Sequence, residues 1–148
     1  MISIRKAKRG DEDQIMNLIK GLAEYEKAPE QVVNTAEELG NDLFELHACD
    51  AFVAEESGSI KGFALFYTNY STWKGKCLYL EDLYISPEYR RTGVGSMLFD
   101  EVIQEAKRRK VRRMDWQVLD WNEPAINFYK KKGALLDTEW VNGRLFFE

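Results

Sequence analysis

The sequence predicts an α/β protein: a mixed, mostly antiparallel sheet with helices on both faces, in three layers. Three observations point there. Strand-like runs at 51–56 (AFVAEE) and 60–69 (IKGFALFYTN) flank the turn Ser57-Gly58-Ser59, which is hairpin spacing. Two later strand runs, 76–85 and 114–119, are separated by a helix-length amphipathic segment, which is crossover spacing. Further amphipathic helices stand before and after these strands. Hairpins therefore come first and βαβ crossovers later.

Each element has its own signal. Residues 2–6 (ISIRK) alternate and read as a first strand. Asp11 followed by Gln14 reads as an N-cap, and Ile15, Leu18, Ile19 and Leu22 then share one face of a helix ending near Tyr25. Pro29 marks a loop. Thr35 with Glu38 forms a capping box for a short helix reaching about Leu46. After the hairpin and the long strand 76–85, a helix over 95–109 carries Leu98, Phe99, Val102, Ile103 and Ala106 on its apolar side. Met114 to Leu119 reads as a strand. Asn122 caps a helix with Pro124 in its first turn, and Gly133 terminates it near Lys132. Two short strands, 134–138 and 143–147, are expected to close the chain.

Composition narrows the function classes. At 148 residues, with 45% hydrophobic and 31% charged side chains, the chain reads as a single globular domain spanning 1–148. No apolar run approaches a membrane span, and no apolar segment follows the basic N-terminal residues as in a signal peptide. A cytoplasmic protein with no membrane partner is expected. Cys49 and Cys77 lack motif spacing and His47 is the one histidine, so no metal site is expected. The basic run KRRKVRR at 107–113 has no interleaved aromatics and the chain's net charge is −4, so nucleic acid is not expected as a partner. The charge is divided: residues 11–56 hold 13 acidic side chains against 2 lysines, whereas 88–113 hold 8 basic against 4 acidic. That division suits a cationic ligand at one end and an anionic ligand at the other.

The densest motif is LYLEDLYISPEYRRTGVG at 78–95. An apolar strand carries Glu81 and Asp82 in its middle, then breaks at Pro87 into a glycine turn and a helix start. Backbone N–H groups at such a helix start favour an anion, and Gly93 and Gly95 let a diphosphate approach the main chain. The turn lacks the Gly-Lys-Ser/Thr of a Walker loop and the third glycine of a dinucleotide fingerprint. An acid inside an apolar run is costly unless it has a use. As strand neighbours, Glu81 and Asp82 would point to opposite faces unless the strand is distorted there.

Arg90-x-x-Gly93-x-Gly95 after a strand, at this place in the element order, resembles the acyl-CoA pyrophosphate loop of the GNAT superfamily of N-acetyltransferases. LYLEDLYI, WNEPAINFYKKKGA at 121–134 and LIKGLAEYEKAPEQV at 18–32 resemble its spermidine/spermine (diamine) acetyltransferase branch. The resemblance implies a GNAT-type fold and acetyl-CoA as co-substrate, with a diamine, polyamine or lysine analogue as small cationic acceptor. It implies Glu81 as the base, acting through water, and Tyr129 as the acid that protonates the departing thiolate. Main-chain groups around Leu83, Tyr84 and Ile85 would meet the thioester and its amide-bearing arm. Arg90, Arg91, Thr92, Gly93, Val94, Gly95 and Ser96 would cradle the diphosphate, and Asn122 and Tyr129 would touch the cofactor arm. Tyr25, Glu26, Trp73, Glu81 and Asp82 would line the amine site, Asp82 as a further contact or, equally, as a structural salt bridge; the family strand carries a bulge here. Where the family has an aspartate two positions before the tryptophan, this chain has Ser71, which makes small diamines and lysine analogues as fitting as polyamines. A homodimer is expected, although the chain ends at Glu148, short of the family's C-terminal arm. The alternatives are a non-catalytic CoA-binding module and acetylation of protein or peptide amines.

Overall fold

The computed structural model describes residues 1–147, and its contacts divide into two units, Met1–Gln117 and Val118–Glu148. The first unit is one five-stranded sheet, β1 (Ser3–Lys6), β2 (Asp50–Glu56), β3 (Ser59–Ser71), β4 (Gly75–Ile85) and β5 (Met114–Asp115), in that spatial order. The pairs from β1 to β4 are antiparallel, and β4–β5 is parallel. Helices α1 (Glu12–Tyr25) and α2 (Ala36–Phe44) cover one face and α3 (Val94–Arg108) the other. The expected α/β class and mixed sheet are therefore found.

Alternation along β3 sorts its side chains between the two layers. Phe63 and Leu65 join Ile15 and Met16 of α1 and Leu39 and Leu43 of α2 in one cluster. Phe66 turns to the other side, stacked on Phe52 and lying beneath the guanidinium of Arg109 at the end of α3. Phe63, Phe66, Leu78, Leu80 and Leu98 are all under 2% exposed, and each contributes roughly 1.5–3 kcal/mol by leaving water. Gly62 sits where β3 and β4 meet α3. A Cβ there would stand 2.7 Å from Ile85 Cδ1, 3.1 Å from the Tyr84 carbonyl and 3.3 Å from Leu98 Cδ1.

Several sequence expectations are corrected. Asp11 does not cap α1 through its side chain. That carboxylate accepts from Arg5 and from the Lys8 N–H, because a buried acid gains more from a guanidinium than from one amide. Gln14 instead accepts the Ile60 N–H at 2.8 Å, tying α1 to the hairpin. Thr35 does cap α2, accepting the Glu38 N–H at 3.1 Å.

The strand expected over 114–119 stops at Asp115. Its partners on β4 are Leu78 and Tyr79, and beyond them β4 bulges at Glu81, which ends regular pairing. Trp116 packs edge-on against Phe99 instead, centroids 5.4 Å apart.

The second unit contains α4 (Glu123–Lys131). Asn122 caps it by accepting the Ala125 N–H at 3.4 Å, and Gly133 follows its end with φ +87°. The strands expected at 134–138 and 143–147 do not form among the described residues. Leu135, Val141, Leu145 and Phe147 there are all more than 80% exposed, and two short strands with no buried face are marginal in water.

Replacing Gly62 by Ala is expected to destabilise the fold by about 1–3 kcal/mol through overpacking. The check is a lowered denaturant midpoint at unchanged slope.

Candidate active site

The site is built around one irregularity. Leu65 pairs with Asp82 and Phe66 with Leu80, so Glu81 is an extra residue with no partner on β3. Without it, Leu80 and Asp82 would share a face. With it, Leu80 stays in the α3 layer while Asp82, Tyr79 and Tyr84 belong to the α1 side. Glu81 is on that side as well: the Tyr67 hydroxyl lies 3.4 Å from its Oε1. The bulge thus removes the opposition that simple alternation imposes on Glu81 and Asp82.

Burial and the charge of Glu81 raise four groups around it, Asp82, Glu26, Tyr67 and Tyr79. Burial first, then the charges of Glu81 and Glu26, push the Asp82 carboxyl up to about 7. Burial and the charge of Glu81 also raise Glu26, which follows directly on α1. Burial and Glu81 raise the Tyr67 phenol, and push Tyr79 up to about 12. Both phenols therefore stay protonated. Their rings lie 5.5 Å apart, tilted by 34°, beside Glu81. Tyr67 and Tyr79 were not singled out in the sequence; the cross-strand register through the bulge is what brings them here.

Among the described residues, no cation pairs with the carboxylates of Glu26, Glu81 or Asp82. The structural salt bridge considered for Asp82 is not found among the described residues. Trp73 does not join the cluster within the chain. It sits at the β3–β4 tip, 86% exposed, in a turn closed by Ser71 Oγ accepting the N–H groups of Trp73 and Lys74. The hairpin from that turn to the bulge spans roughly 20 Å at about 3.3 Å per residue. Tyr25 stands at the end of α1, next to Glu26.

The glycine turn lies just past the other end of β4. Arg91 has φ +64° and Gly93 φ +91°, and alternation of this kind turns successive N–H groups toward one concavity. Gly93 is the N-cap of α3 and has no side chain to satisfy that helix's first donors. A Cβ on Gly93 would meet nothing within 4 Å, so the approach is open. Thr92 braces the turn by donating to the Tyr89 carbonyl, and Tyr89 in turn donates to Glu56. The two arginines differ. The Arg90 guanidinium lies 5.1 Å from the Tyr25 ring centroid and 5.3 Å from that of Tyr84, and its Nε donates to the Ile85 carbonyl at 3.1 Å. The Arg91 side chain is exposed and makes no contact of this kind among the described residues.

Between the two features, β5 covers only Leu78 and Tyr79. Further along that same edge, Leu83, Tyr84 and Ile85 pair only with β3 on their opposite side and carry no strand here, leaving an edge on which an amide-bearing chain could pair. Val94 is buried under the helix start and Gly95 rests 3.6 Å from Ile85 through an added Cβ, while Ser96 is half-buried. In the second unit, Tyr129 is 8% exposed and lies edge-on to Phe128.

The raised carboxyl of Asp82 makes stability pH-dependent. The folded chain holds a proton there that the unfolded chain has lost, so this group's contribution is present at pH 4 and declines as pH rises through 7. Asp82→Asn is expected to stabilise the protein relative to the parent at pH 8, on the order of 2–4 kcal/mol, and to differ little at pH 4. Paired denaturant titrations at the two pH values check this.

Comparison with known proteins supplies the family. The acetyltransferase (GNAT) family model matches residues 14–134. A thialysine N-epsilon-acetyltransferase of Bos taurus is 41% identical over 142 residues, covering 90% of this chain and 84% of the bovine one. A spermidine/spermine N(1)-acetyltransferase-like protein of Homo sapiens is 36% identical over 142 residues, 89% of this chain and 20% of the human one. The crystal structure of an aminoglycoside acetyltransferase from a soil metagenomic sample superposes with a TM-score of 0.81 over 99% of this chain and 97% of that one, at 18% identity, a likeness of fold. Matched by the family model over most of its length and by a relative at 41% identity, this chain belongs to the GNAT family of acetyltransferases.

Proposed function

We propose that this chain transfers an acetyl group from acetyl-CoA to the primary amine of a small cationic acceptor of the thialysine or short-diamine type. The observation that carries the reading is the bulge at Glu81, which brings Glu81 and Asp82 to the α1 side within electrostatic reach of Glu26, with no cation paired to any of the three among the described residues. Such a cluster is completed by an ammonium group. The thialysine acetyltransferase relative supports a lysine-like acceptor. So does the position of Trp73, too far along the hairpin to touch a small amine held at the bulge, and the serine at 71 in place of a carboxylate.

The acceptor binds as the cation and reacts as the free amine. Removing the proton from a lysine-like amine at pH 7 costs roughly 4.6 kcal/mol. Glu81, on the bulge and open to water, takes that proton through a water molecule, while Asp82 and Glu26 hold the rest of the cation. Acetyl-CoA, when bound, supplies an activated thioester. The main chain of Arg90 to Ser96 fits its diphosphate, and the open β4 edge at Leu83–Ile85 fits its amide-bearing arm and the thioester carbonyl. The amine nitrogen attacks the carbonyl carbon, the carbon–sulfur bond breaks, and the thiolate needs a proton. Tyr129 is assigned that donation on the sequence resemblance, as Asn122 is assigned a contact to the arm. Because exposed apolar side chains over 135–147 leave surface for a second copy, the enzyme is read as a homodimer.

The experiment is a thiol-release assay with acetyl-CoA against thialysine, lysine, short diamines, spermidine, spermine and a lysine-containing peptide. Turnover of thialysine or a short diamine, above the peptide, is expected. Silence across the panel with CoA still bound would favour a non-catalytic module. Glu81→Gln should lower kcat/KM at pH 7 by about 10²-fold or more and recover partly above pH 9, where free amine is plentiful. Tyr129→Phe should slow turnover by a comparable factor with acetyl-CoA affinity nearly intact. An unchanged rate in either variant removes that residue from the mechanism.

A further inference from the structure

The two adjacent arginines of the glycine turn are in different situations. Both side chains are exposed, but Arg91, at a left-handed backbone position, makes no aromatic or hydrogen-bond contact among the described residues. Arg90 is committed. Its guanidinium lies near two tyrosine rings, Tyr25 at the end of α1 and Tyr84 on β4, and its Nε donates to the Ile85 carbonyl where β4 ends. Tyr84 itself is 8% exposed and braces the same helix: a Cβ on Gly21 of α1 would stand 2.9 Å from its hydroxyl. The residue after Tyr25 is Glu26, a member of the carboxylate cluster. Arg90 therefore joins three things: the first residue of the anion loop, the end of the strand that carries the bulge, and the helix end that presents a carboxylate to the amine.

From these contacts we infer that Arg90 is a positioning residue, clasping α1 to the glycine loop so that occupancy of the loop and affinity for the amine are coupled. Arg91, by contrast, supplies charge to the diphosphate. The inference rests on the reading of the loop and the carboxylate cluster given above, and adds the link between them. An anion seated on the loop fixes the backbone at Arg90. The clasp transmits that order to Tyr25, and Glu26 is then held where the ammonium meets it. Linkage requires the reverse as well: a bound amine tightens acetyl-CoA by the same factor. A guanidinium suits this place better than an ammonium, because its plane meets aromatic faces while its edge still donates to a carbonyl.

The test uses the full chain with acetyl-CoA and thialysine, varying both in initial-rate measurements, to obtain the factor by which saturating acetyl-CoA lowers the amine constant. In the parent this factor is expected to be about fivefold or more. Arg90→Leu and Tyr25→Leu should each bring it close to one, and the double variant should add nothing further. Tyr25→Phe, which keeps the ring, should keep the factor. Arg91→Gln should raise the acetyl-CoA constant severalfold, more at low salt than at high, and leave the factor in place. A parent factor of one overturns the inference. So does an Arg90→Leu enzyme that only binds acetyl-CoA more weakly with its factor intact, as does additivity of Arg90→Leu with Tyr25→Leu. Should Arg90→Leu not fold, Tyr25→Leu against Tyr25→Phe decides the matter alone. Failure of the parent to bind acetyl-CoA would instead overturn the loop reading, and this inference with it.

Discussion

One extra residue in a strand organises this molecule. A β4 without its bulge would put Glu81 on one face and Asp82 on the other, one of them in the packed layer under α3. Insertion of Glu81 shifts the register between Leu80 and Asp82, so that the hydrophobic Leu78 and Leu80 stay buried and both acids reach the α1 side. The same kink ends the parallel pairing with β5 after Tyr79, leaving the rest of that edge uncovered. A carboxylate cluster and an open strand edge therefore have a single origin, and the glycine turn follows within a few residues.

Electrostatics separate this cluster from the other acids of the fold. Asp11 and Glu55 both bind Arg5, and Asp50 and Glu105 both bind Arg109. Burial works against ionisation of Asp11 and Glu105, yet the arginines outweigh it and hold both carboxyls below their ordinary range. Asp82 and Glu26 are driven the opposite way, because burial is reinforced by neighbouring negative charge and no arginine offsets it. With no cation paired to it among the described residues, the cluster gains most from one that arrives as a ligand.

Much of this was legible in the sequence, and the misses share a cause. Local signals held: the Thr35 cap, the Asn122 cap, the Gly133 stop, and the hairpin around Ser57-Gly58. The pairing of Glu81 with Asp82 was visible as acids in an apolar run, and the anion loop as glycines before a helix. What sequence periodicity does not encode is the partner across the ladder. The bulge, the Tyr67–Tyr79 pair beside Glu81, the capture of Asp11 by Arg5 and the clasp of Arg90 on Tyr25 all join residues set by register or tertiary packing. The two terminal strands were expected from short apolar segments, and such segments without a partner strand or a buried face do not make a sheet.

The central claim is that the bulge brings Asp82 beside Glu81, so that burial and the neighbouring charges of Glu81 and Glu26 raise the Asp82 carboxyl to near neutral pH. The most direct measurement is a carbon-13 NMR titration of the side-chain carboxyl groups, with Asp82 assigned by substitution. The account predicts an Asp82 carboxyl titrating at about 7, moving down when Glu81 is replaced by glutamine and again when a cationic amine is bound. An Asp82 that titrates near the ordinary aspartate value of about 3.9, indifferent to Glu81→Gln, would contradict it.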